Sequence, residues 1–339
     1  YLVIKAQPKI SVILPFYNAA ATLNRAIESI ISQCFEDFEC ILVDNNSTDE
    51  SIQIAKSWLH RDKRFRLLSE KRQGVMFASN TGSAAARAHY ITRMDADDRA
   101  LPKRFERQYR FLEENSQYDV VAGLVEYKSH RSNTEGFQRY VDWSNSVRSY
   151  ESIACLRFVE SPIINPTAMW RKEIAHRYGM YRYGDFPEDY ELWLRWLAEG
   201  VKITKLSSYV LQWYDSDTRL TRTHPIYKDM AFFRIKSKYL ARWLAAYNPF
   251  HPTIAVWGAS RISRRRARIL EHHGIHIDCY IDTKKNRQID HKILYYKDVP
   301  VAGKMFILVY IRQPEAQSEI RDFLNKRGYK EGINFLMAS

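Results

Sequence analysis

The sequence predicts an α/β protein: a first domain on a mixed, mostly parallel sheet, then a smaller Rossmann-like α/β domain. Apolar strand-like runs alternate with segments of helical periodicity, which is typical of βαβ units. The alternation restarts after the linker NPFHP, residues 248–252. The chain has 339 residues, more than one ordinary domain needs. We therefore expect a first domain over residues 1–224, a long helix and linker over 225–250, and a second domain over 251–339.

In the first domain, the spacing of apolar residues predicts each strand and helix. KISVILP predicts a buried strand, and the segment after it has apolar residues at helical spacing. FECILVD predicts the second strand, and STDE predicts a capping box between Ser47 and Glu50 that opens a helix. RFRLLSE predicts a weaker third strand. A helix of small residues, Met76 to His89, leads to the fourth strand, YITRMD, and Pro102 suits the first turn of the next helix.

From about residue 118 the pattern predicts a more mixed sheet. YDVVAGLVEYK and NPTAMWR are typical of strands, PEDYELWLRWLAEG of a helix, and KITKLSSYVLQWY of two short strands. A long helix is expected from about Pro225 to Tyr247. In the second domain, TIAVWG, IHIDCYID, MFILVY and NFLMA predict strands, and residues 262–273 and 314–327 predict helices.

Charge and cysteine usage restrict the classes of partner. The formal net charge of +13 suits phosphate-bearing ligands or an anionic surface, whereas no groove-reading motif supports nucleic-acid binding. The four cysteines lack metal-site spacing and are expected to be free thiols in a reducing compartment. No apolar run is long enough to span a bilayer, and no signal peptide is visible. We expect a cytoplasmic protein that is at most peripheral on the inner face of the cell membrane.

Acidic residues collect where the predicted strands end. Asp95, Asp97 and Asp98 follow the fourth strand, Asp44 ends the second, and PFYN, Pro15 to Asn18, follows the first. In parallel sheets, ligands bind at the carboxyl ends of the strands. Carboxylates this close repel one another, and a Mn²⁺ or Mg²⁺ ion would remove that conflict. The alternative interpretation is a solvated acidic turn that caps the following helix.

Glu188 and Asp189 form a second acidic pair, at the start of a predicted helix. A carboxylate at that position is stabilised by the helix dipole and by free N–H groups, so helix capping is one interpretation. The other is a general base that takes a proton from a hydroxyl nucleophile.

In series, these motifs resemble the inverting family 2 glycosyltransferases, which have a GT-A fold. SVILPFYNAAATLNRAIESIISQCFEDFECILVDNNSTDES, MDADD and EDYELWLRW occur in the family's order and at its intervals, and the resemblance covers roughly residues 8–220. It implies a hexosyltransferase that moves a sugar from a nucleoside-diphosphate donor, expected to be a UDP-sugar, to a hydroxyl of a glycan or lipid-linked glycan acceptor. The pathway implied is bacterial surface polysaccharide or glycan biosynthesis.

The resemblance also implies which residues hold the nucleotide-sugar donor. Tyr17 would stack on the nucleotide base, with Pro15 beside it and Asn18 in the same segment. Asp44 would help to hold the nucleoside. Many family members carry a second Asp next, which accepts a hydrogen bond from uracil. This chain has Asn45, whose amide oxygen could still accept that bond.

The family's chemistry falls on the two acidic motifs. Asp95 would lie near the ribose and donor sugar, Asp97 would bind the metal ion, and Asp98 would support the site. Asp189 would be the catalytic base, with Glu188 beside it, in a single displacement that inverts the anomeric carbon.

Two features place limits on what the resemblance implies. Asn165 stands where relatives often have His, near the acceptor side, so the resemblance leaves open whether the acceptor is one of the common ones. In the second domain, VWGASRIS has Gly258, Ser260 and Ser263 where a dinucleotide fingerprint has three glycines, although Asp282 suits a ribose ligand. We expect a degenerate Rossmann-like appendage, of the kind that follows some bacterial glycosyltransferases.

Two other function classes stay open as alternatives. A non-catalytic nucleotide-sugar-binding module is disfavoured because Asp97 and Asp189 are both present. An NAD-linked enzyme that uses the C-terminal domain is disfavoured by the missing glycines.

The long helix interleaves aromatic with basic residues. Packing within the protein is expected for most of its apolar face, and its basic residues predict weak, salt-sensitive contact with an anionic membrane surface. The basic residues concerned, on this helix and in the second domain, are Lys228, Arg234, Lys236, Lys238, Arg242, Arg264, Arg265, Arg266 and Arg268.

Overall fold

The computed structural model describes residues 7–129, 131, 134–215, 222, 224–227, 229–285 and 290–339. The chain forms two compact units, each with its own sheet. The first unit comprises Tyr1–Ile153, Pro162–Gly184 and Glu188–Thr223. The second comprises Ala154–Ser161, Asp185–Pro187 and His224–Ser339, so it includes the long helix.

Strands and helices alternate through most of the chain. The described strands are β1 (Ile10–Phe16), β2 (Phe38–Asp44), β3 (Phe65–Ser69), β4 (Tyr90–Arg93), β5 (Arg99–Ala100), β6 (Val120–Ser129), β7 (Met169–Arg171), β8 (Ile203–Asp215), β9 (Thr253–Trp257), β10 (His276–Asp282), β11 (Ile293–Tyr295), β12 (Ile307–Val309) and β13 (Phe335–Met337). The described α-helices are α1 (Leu23–Ile31), α2 (Ser51–Arg61), α3 (Val75–Ala85), α4 (Arg104–Glu114), α5 (Glu135–Ser146), α6 (Tyr150–Leu156), α7 (Lys172–Tyr178), α8 (Glu188–Ala198), α9 (Asp229–Tyr247), α10 (Arg261–Ala267) and α11 (Pro314–Lys326). Within the described ranges, no helix is both long and apolar enough to cross a membrane.

The sheet of the first unit is mixed and mostly parallel, as predicted. Its strand order is β3-β2-β1-β4-β7-β6-β8-β5. Strands β3, β2, β1 and β4 run parallel to one another, and β6 runs parallel to β8. Strand β7 is antiparallel to both of its neighbours, and β5 is antiparallel to β8. The parallel half therefore brings the carboxyl ends of β1, β2 and β4 to one edge.

Burial explains why the sequence forms this parallel half. Every residue of β1 and β2 is buried, as expected for strands that are covered on both faces. Helix α1 buries Leu23, Ala26, Ile27 and Ile30, which is the predicted apolar stripe. Helix α3 is built from small residues and packs on β1 and β2.

The second unit contains the expected Rossmann-like sheet. Its five strands are all parallel, in the order β11-β10-β9-β12-β13. Gly258 follows β9 with φ at 126°, a conformation that favours glycine. Ser260, at the position of the second fingerprint glycine, is the N-cap of α10 and accepts a hydrogen bond from the Ser263 N–H at 3.1 Å.

The predicted capping box is wrong. Helix α2 begins at Ser51 with Glu50 as its N-cap, and the Glu50 side chain makes no capping hydrogen bond, whereas Asp49 Oδ1 accepts from the Ser51 N–H at 3.0 Å. The Ser47 hydroxyl instead accepts a hydrogen bond from the Asn18 N–H at 3.1 Å. Because that hydroxyl holds the loop after β1, it does not cap the helix.

Other differences come from elements whose sequence signal is weak. KITKLSSYVLQWY forms one strand, β8, and not the two predicted strands; its middle is partly exposed, and the pairing with β6 shifts register there. Helix α3 ends at Ala85, four residues before His89. Helix α4 begins at Arg104, after Pro102. The short elements α6, α7, β5 and β11 and the largely polar helix α5 were not predicted.

The close packing of α3 generates a stability prediction. A Cβ atom added at Gly82 would lie 2.5 Å from Ile13 Cγ2 and 3.1 Å from Val43 Cγ2, so the Gly82→Ala substitution should lower the free energy of unfolding by about 1–3 kcal/mol. Gly136 on α5 is the matched control, because a Cβ atom there meets nothing within 4 Å. Gly136→Ala should be neutral or stabilising by up to about 1 kcal/mol. Urea unfolding of both variants measures this, and equal effects would contradict the packing argument.

Candidate active site

The carboxyl edge of the parallel strands brings the predicted site residues together. In the sheet register, Phe16 at the end of β1 lies opposite Asp44 at the end of β2, and Ile13 lies opposite Arg93 at the end of β4. Tyr17 and Asn18 therefore leave β1 beside Asn45, and Asp95 follows β4 nearby. Pro15 is buried within β1.

The loops after β1 and β2 are tied to each other. The Asn18 side-chain oxygen accepts a hydrogen bond from the Thr48 N–H at 2.8 Å, and Asn18 has φ at 47°, which Asn tolerates better than most residues. Asp44 is buried and accepts a hydrogen bond from the Ser47 N–H at 3.1 Å. Tyr17 is 52% exposed, so its ring is available to a ligand at this edge.

Asn45 holds the segment between β3 and α3. Its side chain is 2% exposed and makes three hydrogen bonds there. The amide nitrogen donates to the carbonyl oxygens of Glu70 at 2.9 Å and Arg72 at 2.8 Å, and the amide oxygen accepts from the Gly74 N–H at 2.8 Å. A neutral amide can both donate and accept, so it suits this position better than a carboxylate, which only accepts.

The acidic cluster has the composition of a divalent cation site. One carboxylate oxygen from each of Asp95, Asp97 and Asp98 lies within 4.8 Å of the others. Asp98 is fully buried and accepts a hydrogen bond from the Tyr214 N–H at 2.9 Å. Arg25 donates to the Asp97 carbonyl oxygen and lies 3.8 Å from the centre of the Tyr214 ring. Carboxylate oxygens are the ligands that Mg²⁺ and Mn²⁺ prefer, so the cluster fits such an ion.

Arg93 is a central residue of the site that the sequence interpretation missed. It is 3% exposed, and its Nε lies 3.0 Å and its Nη2 2.9 Å from Asp95 Oδ1. Its Nη1 donates to Ser79 Oγ on α3 at 2.6 Å. Burial alone would lower the pKa of Arg93, but nearby negative charge, first that of Asp95 and also that of Glu188, outweighs burial and raises it. A charged residue inside the buried strand YITR was the available signal.

A second buried guanidinium lies beside the same cluster. Arg104 is 1% exposed and donates to Thr92 Oγ1 at 2.7 Å and to the Arg93 carbonyl oxygen at 2.8 Å. Burial lowers the pKa of Arg104 to about 9, although the charges of Asp98 and Asp95 oppose that shift. Two buried cations therefore offset part of the negative charge of the cluster.

The pair Glu188 and Asp189 begins α8, as predicted. Glu188 is buried, and the Asp189 Oδ1 accepts a hydrogen bond from the Tyr190 N–H at 2.8 Å. Burial first and the charge of Glu188 second raise the pKa of Asp189 to about 7, while Arg93 acts to lower it. A carboxyl group with a pKa near neutrality can accept a proton under physiological conditions. The two acidic motifs are thus coupled through Arg93.

Tyr181 completes the buried surroundings of this pair and was also missed. Its hydroxyl donates to the side-chain oxygen of Asn165 at 2.9 Å, and both residues are buried. The Arg93 guanidinium lies 5.4 Å from the centre of the Tyr181 ring. Burial raises the pKa of Tyr181 to about 12, so its hydroxyl stays protonated and keeps this bond. Asn165, which the sequence placed near the acceptor, is therefore joined to the site through Tyr181.

Solved structures similar to this chain share its fold. TarS residues 1–349 from S. aureus, in complex with UDP-GlcNAc, matches with a TM-score of 0.53 and 17% identity over 70% of this chain and 73% of that one. The mannosyltransferase PcManGT from Pyrobaculum calidifontis, in complex with GDP-Man and Mn²⁺, matches with a TM-score of 0.51 and 17% identity over 71% of this chain and 65% of that one. The first unit therefore has the GT-A fold.

Sequence comparison identifies the family. The family described as Glycosyl transferase family 2 matches residues 11–179. The O-antigen biosynthesis glycosyltransferase WbnJ of Escherichia coli is 27% identical over 67% of this chain and 87% of its own length. EpsE of Bacillus subtilis (strain 168), a protein named as a glycosyltransferase, is 34% identical over 58% of this chain and 69% of its own length. From the family match and the similarity to EpsE, the chain belongs to glycosyltransferase family 2.

Proposed function

We propose that this glycosyltransferase moves a sugar from a nucleoside-diphosphate donor, a UDP-sugar, to a hydroxyl group of a glycan or lipid-linked glycan. The observation that carries the proposal is the position of Arg93. It pairs with Asp95 in the acidic cluster, and its charge also acts on Asp189. The similar proteins support it, because TarS binds UDP-GlcNAc, PcManGT binds GDP-Man with Mn²⁺, and WbnJ acts in O-antigen biosynthesis. Bacterial surface polysaccharide or glycan biosynthesis is the process we assign.

The nucleotide would bind at the ends of β1 and β2. Tyr17 offers an exposed aromatic face to the base, Pro15 lies just before it in β1, and Asn18 fixes the loop. Asp44 and Asn45 follow at the end of β2, where Asp44 would hold the nucleoside. Asn45 would act mainly by fixing the segment from Glu70 to Gly74, because its amide already bonds there.

We assign this chemistry to a catalytic domain over residues 1–224 that precedes the long helix, residues 225–250, and the Rossmann-like domain, residues 251–339.

Asp97 would be the principal metal ligand, with Asp95 near the ribose and donor sugar and Asp98 supporting the site. A bound Mn²⁺ or Mg²⁺ would neutralise charge that develops on the departing diphosphate. Arg93 orients Asp95 through two short contacts, and Arg25 holds the backbone of Asp97. These bonds place the carboxylates before the donor arrives.

Asp189 would remove the proton from the acceptor hydroxyl as the oxygen attacks the anomeric carbon. The bond from the anomeric carbon to the diphosphate oxygen breaks as the new glycosidic bond forms, so one displacement inverts the configuration. Glu188 is buried beside Asp189, and its charge helps to keep the pKa of Asp189 near 7.

Loss of the metal ligand should abolish turnover. Asp97→Asn removes a carboxylate from the cluster, so Mn²⁺-dependent affinity for UDP should fall by at least about tenfold, the lower end of what changes around a metal site cost. Calorimetric titration of UDP with and without Mn²⁺ measures this. Asp142→Asn is the control, because Asp142 is an exposed carboxylate on α5 of the same unit. Near-normal transfer by the Asp97 variant, or full activity in EDTA, would show that the metal assignment is wrong.

Loss of the general base should slow chemistry while leaving donor binding intact. Asp189→Asn should lower the transfer rate about 10²–10⁴-fold, the usual contribution of a general base. Since the base acts when ionised, kcat/KM of the native enzyme should rise with pH through the pKa of about 7 and level off above it. If Glu188→Gln slows transfer more than Asp189→Asn does, the base role belongs to Glu188.

We also propose weak, salt-sensitive contact with an anionic membrane surface, which would suit a cytoplasmic enzyme with a lipid-linked acceptor. Exposed basic side chains support it, namely Arg234, Lys238 and Arg242 on α9 and Arg265 and Arg268 in the segment that follows Arg261. Lys236 and Arg266, which the sequence interpretation included, are buried and do not contribute. Lys228 lies outside the described residues.

Exposed cations near a membrane contribute about 1 kcal/mol each toward anionic lipid, and salt screens them. The protein should therefore pellet with phosphatidylglycerol vesicles at low salt, and much less at high salt or with phosphatidylcholine alone. Co-sedimentation measures this. Equal pelleting with both lipids, or with neither at low salt, would leave a soluble acceptor as the better assignment.

A further inference from the structure

An exposed aromatic side chain lies on the first unit, close along the chain to the proposed base. Tyr183 is 76% exposed, and its ring stacks on Phe77 with centroids 5.6 Å apart and an interplanar angle of 23°. The Arg72 guanidinium lies 4.7 Å from the centre of the same Phe77 ring. We call Arg72, Phe77 and Tyr183 the Tyr183 stack. Its members come from three separate segments, so the arrangement is a product of the fold.

The segment that carries Tyr183 is anchored to α3. Asn80 donates to the Tyr181 carbonyl oxygen at 2.8 Å and accepts from the Tyr181 N–H at 3.1 Å. Phe77 and Asn80 are three residues apart on α3, so they share a face of that helix. The buried Tyr181 hydroxyl adds the bond to Asn165. These contacts hold the Tyr183 ring over Phe77.

The Arg72 end of the stack is also fixed. The guanidinium makes a two-point contact with the Glu70 carboxylate, at 2.9 Å for both bonds, and Thr81 donates to the same carboxylate at 2.6 Å. The Asn45 amide nitrogen donates hydrogen bonds to the carbonyl oxygens of Glu70 and Arg72. A surface that is ordered before binding loses less conformational entropy when a ligand arrives.

The position of the stack relates it to the acceptor. The Arg93 guanidinium lies 5.4 Å from the centre of the ring of Tyr181, two residues before Tyr183. Tyr183 also precedes Asp189 by six residues, on the segment that leads to α8. The hydroxyl of an acceptor must reach Asp189, so this segment is a candidate for contact with the rest of the acceptor.

We propose that the Tyr183 stack is a subsite for a sugar ring of the acceptor glycan, an inference that rests on the proposed function. One face of a pyranose presents C–H groups, which pack on an aromatic ring, while its hydroxyl groups need donors and acceptors around the rim. Tyr183 supplies the exposed ring. Arg72 over the Phe77 ring and Arg182 next to Tyr183 in the chain have side chains that are 66% and 55% exposed, and they offer donors in the same region. A lipid chain has no polar groups that could accept hydrogen bonds from these charged side chains.

Direct binding tests the subsite without relying on turnover. The probes are methyl β-D-glucopyranoside, methyl β-D-galactopyranoside, methyl α-D-mannopyranoside and methyl N-acetyl-β-D-glucosaminide, each titrated by saturation-transfer NMR with UDP and Mn²⁺ present. At least one should bind the native protein. Tyr183→Ala should weaken that binding roughly 3- to 10-fold, the range for loss of one aromatic stacking contact, while Tyr183→Phe retains it. Tyr209→Ala is the matched control, since Tyr209 is a 49% exposed tyrosine on β8, and it should bind like the native protein.

Three results would overturn the subsite. They are no binding of any probe by the native protein, equal binding by Tyr183→Ala, and a fall in Mn²⁺-dependent UDP affinity in Tyr183→Ala, which would assign the stack to the nucleotide. Failure of the proposed function would be seen separately, because the Asp97 and Asp189 variants would then turn over the donor at the rate of the native enzyme.

Discussion

Arg93 carries its charge at the buried end of β4, where it contacts Asp95 and Ser79 and interacts with Glu188 and Asp189. A buried cation without partners would be strongly unfavourable, and so would a group of buried carboxylates without a cation. The buried guanidinium of Arg93 and the carboxylates around it therefore offset each other's charge. The Arg93 guanidinium joins the end of β4 to α3 through Ser79, and its charge acts on Glu188 and Asp189 at the start of α8, so it lies between the proposed metal site and the proposed base. The arrangement of the candidate site follows from this one requirement.

The same electrostatics separate the roles of the acidic residues. Arg93 pairs with Asp95 in the cluster of Asp95, Asp97 and Asp98, and the charge of the buried Arg104 also acts on that cluster. Burial and Glu188 dominate at Asp189, where they raise the pKa to about 7. The two sites therefore suit different tasks: the cluster would bind a diphosphate through a metal ion, and Asp189 would move a proton.

Periodicity and the alternation of strands with helices along the chain were enough to predict the parallel half of the first sheet. They also placed Asp44 and the cluster from Asp95 to Asp98 on its carboxyl edge. Each of those inferences depends on a local pattern or on a general rule of parallel sheets. Tyr181 and the anchoring role of Asn45 were not accessible in the same way, because their partners lie far away along the chain. Arg93 pairs with nearby Asp95, and a charged residue in a buried strand was the signal that could have identified it. Ser47 shows the converse error: a correct local motif was overridden by a tertiary hydrogen bond to the loop after β1.

The most direct test of this account is the pH dependence of kcat/KM for Arg93→Met, compared with Arg110→Met, which removes an exposed guanidinium that pairs with Glu106 on the same helix. Because Arg93 acts to lower the pKa of Asp189, its loss should move the midpoint of the profile to higher pH and should lower the rate at neutral pH. The Arg110 variant should retain the native profile. A native rate and midpoint in the folded Arg93 variant would contradict the claim that this guanidinium couples the two acidic motifs.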